Sequence, residues 1–168
     1  MEQTLILLKP DAMQRGIAGE IITRFERVGL KIVASKMIAP DQAHYHHHYE
    51  TIGQMISRRG QQAFDVTLEL MLAGPVLAIV LEGVEAVAQV RKMVGTTEPK
   101  SADPGTIRGD YAHVSFTHAD KVAQGIANLI HASGDPEEAK KEISHWFKPV
   151  EICSYEAAHE KFTQPKKK

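Results

Sequence analysis

VLAIVL at residues 76–81 is the clearest buried strand of the sequence, because its apolar residues follow one another without a charge between them. The break AGP at residues 73–75 precedes this strand, and apolar residues at helical spacing follow it as far as Gly95. A buried strand that leads into an amphipathic helix is typical of folds in which helices pack on a sheet.

The same alternation continues on both sides of this strand. The patterns predict strands at residues 4–8, 30–38 and 128–131, and helices at 21–28, from 40 to 72 in an irregular form, and after Asp135. This order predicts an α/β sandwich with helices packed on one sheet.

Residues 96–125 are a long stretch without clear periodicity. They include Pro99 and the pair PG at 104–105, and they contain few apolar residues. We therefore expect a long irregular loop, of a kind that is often functional. Since no repeat or linker divides the sequence, residues 1–168 are expected to form a single domain with a flexible tail at 163–168.

The composition is that of an ordinary globular protein, with 43% hydrophobic and 24% charged residues. The 21 acidic and 20 basic residues nearly cancel, so the net charge does not favour nucleic acid or membrane surfaces. Any phosphate must therefore be bound by a few local cations. A single cysteine, Cys153, allows no internal disulfide, and no apolar run is long enough for a membrane span or signal peptide. These features favour a cytoplasmic protein.

Four of the nine histidines lie together within residues 44–48 (HYHHH). His44 and His48 are four positions apart, so on a helix they share a face and could bind a metal ion. No cysteine or carboxylate at ligand spacing joins them, and the stretch is polar all round. A solvated helix surface is therefore the favoured interpretation.

His131 stands in a different setting. It ends a short apolar strand, and the small or polar residues ASGD at 132–135 lead from it into a helix. The N-terminus of a helix favours phosphate, and a histidine there can be a base, a metal ligand or a nucleophile. Lys9, Arg91 and Arg108 also lie near turns, and together with Thr97 and Asn128 they could surround a triphosphate.

Four motifs occur in order: KPDAMQRG at 9–16, GTTEP at 95–99, PGTIRGD at 104–110 and NLIHAS at 128–133. In this order they resemble the motifs of the nucleoside diphosphate kinase family, and the similarity extends from about residue 4 to residue 147. The resemblance implies a ferredoxin-like α/β sandwich (α+β) with a four-stranded antiparallel sheet covered by helices. It also implies a homo-oligomer, either a hexamer or a tetramer.

The resemblance further implies an enzyme that transfers the γ-phosphate of a nucleoside triphosphate, usually ATP, to a nucleoside diphosphate. The family does this by a ping-pong mechanism through a phosphohistidine, with Mg²⁺ carried by the nucleotide phosphates and no metal site of the protein's own. The expected partners are nucleoside di- and triphosphates, with no obligatory nucleic acid and no membrane. The alternative is a catalytically inactive nucleotide-binding or regulatory paralogue.

The motif matches imply a role for individual residues. The catalytic residues that the resemblance implies are His131 as the phosphorylated nucleophile, Glu142, which orients its ring, Lys9, and Tyr49 beside that lysine. The nucleotide-binding residues that the resemblance implies are Lys9, Phe64 (as the stacking partner of the base), Arg91, Thr97, Arg108 and Asn128.

The chain departs from the family pattern in three places. Gly134 and Asp135 replace the residues that usually follow the small residue and serine of the histidine motif. Two segments are also longer than in the family, near residues 50–62 and 111–127. Because the first insertion displaces the stretch that should hold the stacking aromatic ring, Phe64 is only a candidate for that role.

Overall fold

The computed structural model describes residues 1–163 of the 168-residue chain, so all but the first residue of the tail expected at 163–168 lies outside the described residues. Four strands form one antiparallel sheet in the order β2-β3-β1-β4. The strands are β1 (Glu2–Leu8), β2 (Lys31–Ile38), β3 (Val76–Gly83) and β4 (Ile130–Ala132). The predicted four-stranded antiparallel sheet is therefore confirmed.

Helices connect and cover these strands. The α-helices are α1 (Pro10–Gln14), α2 (Ala18–Arg27), α3 (Gln42–His46), α4 (Met55–Arg59), α5 (Gln61–Leu72), α6 (Ala86–Val94), α7 (Ile107–Tyr111), α8 (Phe116–Lys121) and α9 (Pro136–Trp146). A π-helix (His47–Ile52) follows α3 directly. Three single 3₁₀ turns lie at Pro99–Ser101, Pro149–Glu151 and Glu160–Phe162. In the described part of the chain, none of these helices combines the length and apolar character needed to cross a bilayer.

The central strand β1 has apolar residues on both of its faces, because successive side chains of a strand point to opposite sides. Ile6 and Leu8 pack into a core with α1, α2, α6 and α7. Leu5 and Leu7 pack into a second core with α3, α5 and α9. Burial of each such side chain is worth about 1.5–3 kcal/mol, so the two cores fix the sheet firmly between two helical layers.

The pairing of β4 with β1 sets the position of the histidine motif. Leu7 lies opposite His131 in this short antiparallel ladder. Because both faces of β1 are buried, slippage by one residue would move each of its side chains from one core into the other. The backbone of His131 is therefore held by a central strand whose inner residues are buried.

The long irregular loop expected at residues 96–125 is the main correction to the predicted elements. The segment contains a 3₁₀ turn and the short helices α7 and α8. Thr106 and Ser115 cap these two helices, because their side-chain oxygens accept hydrogen bonds from the backbone N–H of Gly109 and His118. Helices of five or six residues are too short to show an apolar periodicity in the sequence.

Candidate active site

One cavity, of about 590 Å³, lies where the segments after β1, α6 and α8 meet β4 and the start of α9. The predicted site residues that line it are Lys9, Tyr49, Arg91, Thr97, Arg108, Asn128, His131 and Glu142. Residues from distant parts of the sequence are thus brought together around a single space, and Phe64 is the one predicted site residue that does not line it.

His131 and Glu142 form a close pair at one end of the cavity. The Nε2 atom of His131 lies 2.7 Å from Oε1 of Glu142, and the Ser133 hydroxyl donates to Oε2 of the same carboxylate at 2.6 Å. An ionised carboxylate only accepts hydrogen bonds, so Nε2 of His131 carries the proton and Nδ1 keeps its lone pair. The His131 side chain retains 17% of its accessible surface and Glu142 only 1%, so the imidazole alone can meet a ligand.

His48 lies against this pair and is almost completely buried. Its ring centroid is 4.6 Å from that of His131, and its Nδ1 accepts a hydrogen bond from Trp146 Nε1 at 3.2 Å. Burial, followed by the proximity of His131, lowers the pKa of His48 well below its usual value. Nitrogen and oxygen atoms of His48, His131 and Glu142 come within 4.8 Å of one another. Nδ1 of His48, Nε2 of His131 and both oxygens of Glu142 already take part in hydrogen bonds.

The favoured interpretation of the histidine cluster as a solvated helix surface is therefore wrong for two of its members. The chain enters a π-helix at His47, and this change of pitch turns His48 inward. His44 does not converge with His48 on a common ligand, because its ring stacks on that of His145 with the centroids 3.9 Å apart. His46 and His47 are exposed, as that interpretation expected.

Lys9 and Asn128 are joined on another wall of the cavity. Lys9 Nζ donates to Asn128 Oδ1 at 2.7 Å, and Asn128 Nδ2 donates to the carbonyl oxygen of Thr97 at 2.8 Å. Burial and, after it, the positive charge of Arg108 lower the pKa of Lys9 to about 8. Among residues 1–163, no carboxylate is in hydrogen-bond contact with Lys9, so its buried charge favours an anionic ligand.

Arg108 is also buried, and its guanidinium group is anchored to the main chain. It donates to the carbonyl oxygens of Gly95 at 3.0 Å, Thr96 at 3.2 Å, Asn128 at 3.2 Å and Ile130 at 2.5 Å. Burial comes first and the charge of Arg91 second among the causes that lower its pKa to about 10. Arg108 thus ties the segment after α6 to the start of β4 and adds positive charge to the cavity.

Arg58 and Arg59 also line the cavity, although the motifs gave no reason to select them. Both lie at the end of α4, within the first inserted segment. The guanidinium carbon of Arg59 is 5.4 Å from the centroid of the Phe116 ring in α8, so the two inserted segments touch at this point. Two adjacent arginines in an insertion next to a phosphate-binding family motif were the signal that sequence reasoning could have used.

Tyr49 lies beside His48 with its hydroxyl oxygen buried, and no residue within 1–163 forms a hydrogen bond with that oxygen. Burial is the main cause that raises the pKa of this phenol far above its usual value. Tyr49 therefore remains a neutral hydroxyl group at the wall of the cavity, able to donate a hydrogen bond to a ligand oxygen.

The predicted stacking role of Phe64 is wrong. Its ring is buried in the core between α5 and the sheet, where it packs edge to face on His46 with centroids 5.5 Å apart. The inserted segment places α4 between Tyr49 and α5, so the arginines of α4 and Met55 occupy the wall of the cavity instead. Met55, Arg58 and Arg59 of α4 line the cavity, whereas Phe64 does not.

The sequence model of the family described as Nucleoside diphosphate kinase matches residues 2–152 of this chain. A nucleoside diphosphate kinase of Borreliella burgdorferi is 41% identical over 155 residues, which cover 92% of each chain. A nucleoside diphosphate kinase of Pyrococcus furiosus is 45% identical over 167 residues, which cover 99% of this chain and 96% of the relative.

Solved structures of similar proteins share the fold. A nucleoside-diphosphate kinase from Borrelia burgdorferi, described as a transition state mimic with bound vanadate and ADP, has a TM-score of 0.92 at 41% identity, covering 95% of this chain and 94% of the other. A halophilic nucleoside diphosphate kinase from Halobacterium salinarum, in complex with CDP, has a TM-score of 0.82 at 34% identity. The match covers 98% of this chain and 99% of the other.

Proposed function

The chain belongs to the nucleoside diphosphate kinase family, and from this premise we propose that Nδ1 of His131 accepts and returns the phosphoryl group. The enzyme is a nucleoside-diphosphate kinase. It transfers the γ-phosphate of a nucleoside triphosphate to the diphosphate of another nucleoside, so that the donor becomes a diphosphate and the acceptor a triphosphate. In the first half of the reaction Nδ1 of His131 attacks the γ-phosphorus, the N–P bond forms, and the bond to the β–γ bridging oxygen breaks as the diphosphate leaves. In the second half a terminal oxygen of another diphosphate attacks the same phosphorus and the N–P bond breaks.

The observation that carries this assignment is the 2.7 Å contact between Nε2 of His131 and Glu142. A carboxylate that holds one ring nitrogen as a donor leaves the other nitrogen with its lone pair, which is the form that a nucleophile needs. The buried Ser133 hydroxyl donates to the second oxygen of Glu142 and fixes the orientation of the carboxylate. His131 is then ready to attack without a separate base.

We propose that the positive side chains of the cavity hold the phosphates. Phosphoryl transfer demands mainly positioning and cations placed where charge develops, since the protein has little covalent work to do beyond the nucleophile. The residues assigned to this role are Lys9, Arg58, Arg59, Arg91 and Arg108, with Thr97, Asn128 and Tyr49 as uncharged partners of phosphate or sugar oxygens.

Mg²⁺ fits this cavity as a companion of the nucleotide. Asp135 and Glu138 line the side near His131, and each uses one carboxylate oxygen to accept a backbone N–H at the start of α9. Their remaining oxygens suit the water molecules that Mg²⁺ keeps around itself, whereas the cationic wall suits the phosphates. When bound, Mg²⁺ supplies positive charge that neutralises the phosphate oxygens, while Lys9 and the arginines orient them.

We further propose that residues 1–168 act as one domain in a cytoplasmic homo-oligomer, either a hexamer or a tetramer, with no obligatory nucleic-acid or membrane partner. Exposed apolar residues on the edge strand and nearby, such as Met37, Val84 and Val150, support association between copies. The exposed, unpaired thiol of Cys153 supports a reducing compartment. The fully assembled set of cationic groups around His131 favours the active enzyme over the inactive paralogue.

The phosphorylated intermediate provides the direct test. Incubation with γ-labelled ATP and Mg²⁺ should leave label on His131 in a bond that acid breaks and alkali does not, as expected for a phosphoramidate. His131→Ala should lose the label, and His113→Ala, an exposed histidine outside the cavity, should keep it. Label that survives acid, or that persists in His131→Ala, contradicts the assignment.

A further inference from the structure

His48 is a buried imidazole beside the reactive pair for which the transfer chemistry described above provides no role. Its Nε2 atom is buried and has no hydrogen-bond partner in the described part of the chain. An unpaired buried polar group costs about 1–3 kcal/mol, so the few partners of this ring decide where its proton lies. Because His48 lies next to Glu142, the position of that proton matters for the reactive pair.

Trp146 determines which nitrogen of His48 carries the proton. The indole N–H can only donate, so Nδ1 of His48, at 3.2 Å from it, must accept and has no proton of its own. The neutral ring therefore carries its proton on Nε2. This assignment follows from donor and acceptor chemistry alone.

The unprotonated Nδ1 of His48 lies only 3.6 Å from Oε1 of Glu142, the same oxygen that accepts from His131. A proton on Nδ1 of His48 would be close enough to compete with His131 for this oxygen. A carboxylate oxygen shared between two donors polarises each of them less. Because Nδ1 of His48 has a lone pair and no proton, His48 does not donate to Oε1 of Glu142, and this oxygen accepts from His131.

We propose that Trp146 is a positioning residue: by fixing the tautomer of His48 it keeps a second proton away from Oε1 of Glu142, reserves that oxygen for His131 and so keeps Nδ1 of His131 as the nucleophile. The inference rests on the proposed role of His131 and adds the residues that act on it through Glu142. In this arrangement Trp146 acts on His48, His48 acts on Glu142, and Glu142 acts on His131.

The surroundings of His48 favour the neutral ring. The titratable groups that face it are His131 from β4, Glu142 and His145 from α9, His44 from α3, Tyr49 from the π-helix and Lys9 from the end of β1. Only Glu142 among them would favour a charged imidazole, and burial outweighs it. The lowered pKa of His48 therefore leaves its ring uncharged at pH 7.

The tautomer can be measured directly on the wild-type protein. In ¹⁵N-histidine NMR spectra we expect the His48 ring to be neutral at pH 7, with the proton on Nε2 and none on Nδ1. A proton on Nδ1, or a charged ring at pH 7, would overturn the proposal. This measurement does not require phosphate on His131, so its failure is distinct from failure of the proposed function.

Kinetics test whether the tautomer matters. In Trp146→Phe the indole donor is gone, and Nδ1 of His48 is free to bind a proton. Phosphorylation of His131 by ATP should then slow by about tenfold or more. The decrease should stay smaller than the rate contribution of about 10²–10⁴ from a group that itself orients the reacting residue. The loss of phosphorylation rate should deepen as the pH falls towards 6. The Kd for ADP should stay within about twofold of wild type, far less than the tenfold change in Kd that 1.4 kcal/mol of binding free energy would cause.

A second substitution separates this effect from damaged packing. His48→Phe removes the competing donor, so the double variant Trp146→Phe/His48→Phe should transfer phosphate faster than Trp146→Phe alone. Tyr45→Phe is the matched control, since Tyr45 packs against Trp146 in the same core and makes no contact with Glu142; its pH profile should match that of wild type. A double variant as slow as, or slower than, Trp146→Phe overturns the proposal.

Discussion

Lys9 Nζ donates to Asn128 Oδ1 at 2.7 Å, a bond that joins the end of β1 to the segment before β4 across 119 positions of sequence. The ammonium group is buried, and the neighbouring Arg108 is positive as well. The bond to an uncharged amide orients Lys9 without neutralising it. A nucleotide phosphate can then supply the missing negative charge.

The first prediction concerns the pH dependence of nucleotide affinity. The pKa of Lys9 is lowered to about 8 in the free protein, and bound phosphate favours the charged form and raises it. Binding therefore takes up a proton above pH 8, and the affinity for ADP should fall by up to about tenfold per pH unit as the pH rises.

Isothermal titration from pH 7.5 to 9.5 measures this dependence. Lys9→Arg should show a nearly flat profile, because a guanidinium group does not titrate in this range. A wild-type affinity that stays constant across the range would show that Lys9 does not titrate near pH 8.

The second prediction concerns the pair of Glu142 and His131. Glu142→Gln keeps the shape of the side chain but removes the charge that orients and polarises His131, so kcat should fall by about 10²–10⁴ while the Kd for ADP changes little. Stopped-flow phosphorylation and equilibrium binding separate the two effects. Glu137→Gln, on the exposed side of the first turn of α9, is the control and should match wild type in both measurements. Unaltered turnover in Glu142→Gln would leave that carboxylate a structural role only.

The third prediction follows from the burial of Phe64. Truncation to alanine should lower the free energy of unfolding by about 3–5 kcal/mol, because the ring fills a core. The ratio of kcat/KM values for ADP, GDP, CDP and UDP should stay the same, because the ring does not reach the cavity. Met55→Ala is the matched contrast, since Met55 lines the cavity and its truncation should change these ratios. A selective loss for one base in Phe64→Ala would restore the stacking role.

The fourth prediction concerns stability in acid. Burial foremost lowers the pKa of His44 to about 4 and also lowers that of His145, whose ring stacks on it. The unfolded chain therefore binds more protons than the folded one between pH 4 and 6.5, and the free energy of unfolding should fall as the pH drops through this range.

Urea unfolding at several pH values measures this slope. His44→Phe keeps the stack but cannot bind a proton, so its slope should be shallower than that of wild type. His113→Gln, exposed and outside the cluster, should leave the slope unchanged. Equal slopes for wild type and His44→Phe would mean that other groups govern the acid transition.

Much of the fold could be predicted from the sequence because buried strands appear as continuous apolar runs. Residues 76–81 and 4–8 are of this kind, and both form the centre of the sheet. The helices α7 and α8 could not be found in the same way, since their existence depends on the caps Thr106 and Ser115 and not on a periodic pattern. Order and type of the longer elements follow from burial, whereas short helices depend on local hydrogen bonds.

The motifs named most of the residues that line the cavity, because those residues lie in loops whose sequence is constrained by the ligand. They could not name His48, whose inward direction depends on the change from α-helix to π-helix at residue 47. They also failed at Phe64, because an insertion shifts the chain by an amount that spacing alone does not specify. The positions of residues within the motifs were therefore easier to predict than those of His48, which depends on a π-helix, and of Phe64, which follows an inserted segment.

The four main-chain hydrogen bonds of Arg108 have a consequence for the interpretation of natural variants. Loss of this side chain would remove a donor from each of four carbonyl oxygens, and three of them belong to loops that shape the cavity; of the four, the oxygen of Asn128 would keep the backbone N–H of Ile130. Unpaired buried carbonyls lower stability, and a loss of even about 1–2 kcal/mol can reduce the abundance of a protein in the cell several-fold. A variant at this position would therefore be depleted by protein quality control before any defect in transfer became visible, and its phenotype would resemble a reduced gene dose.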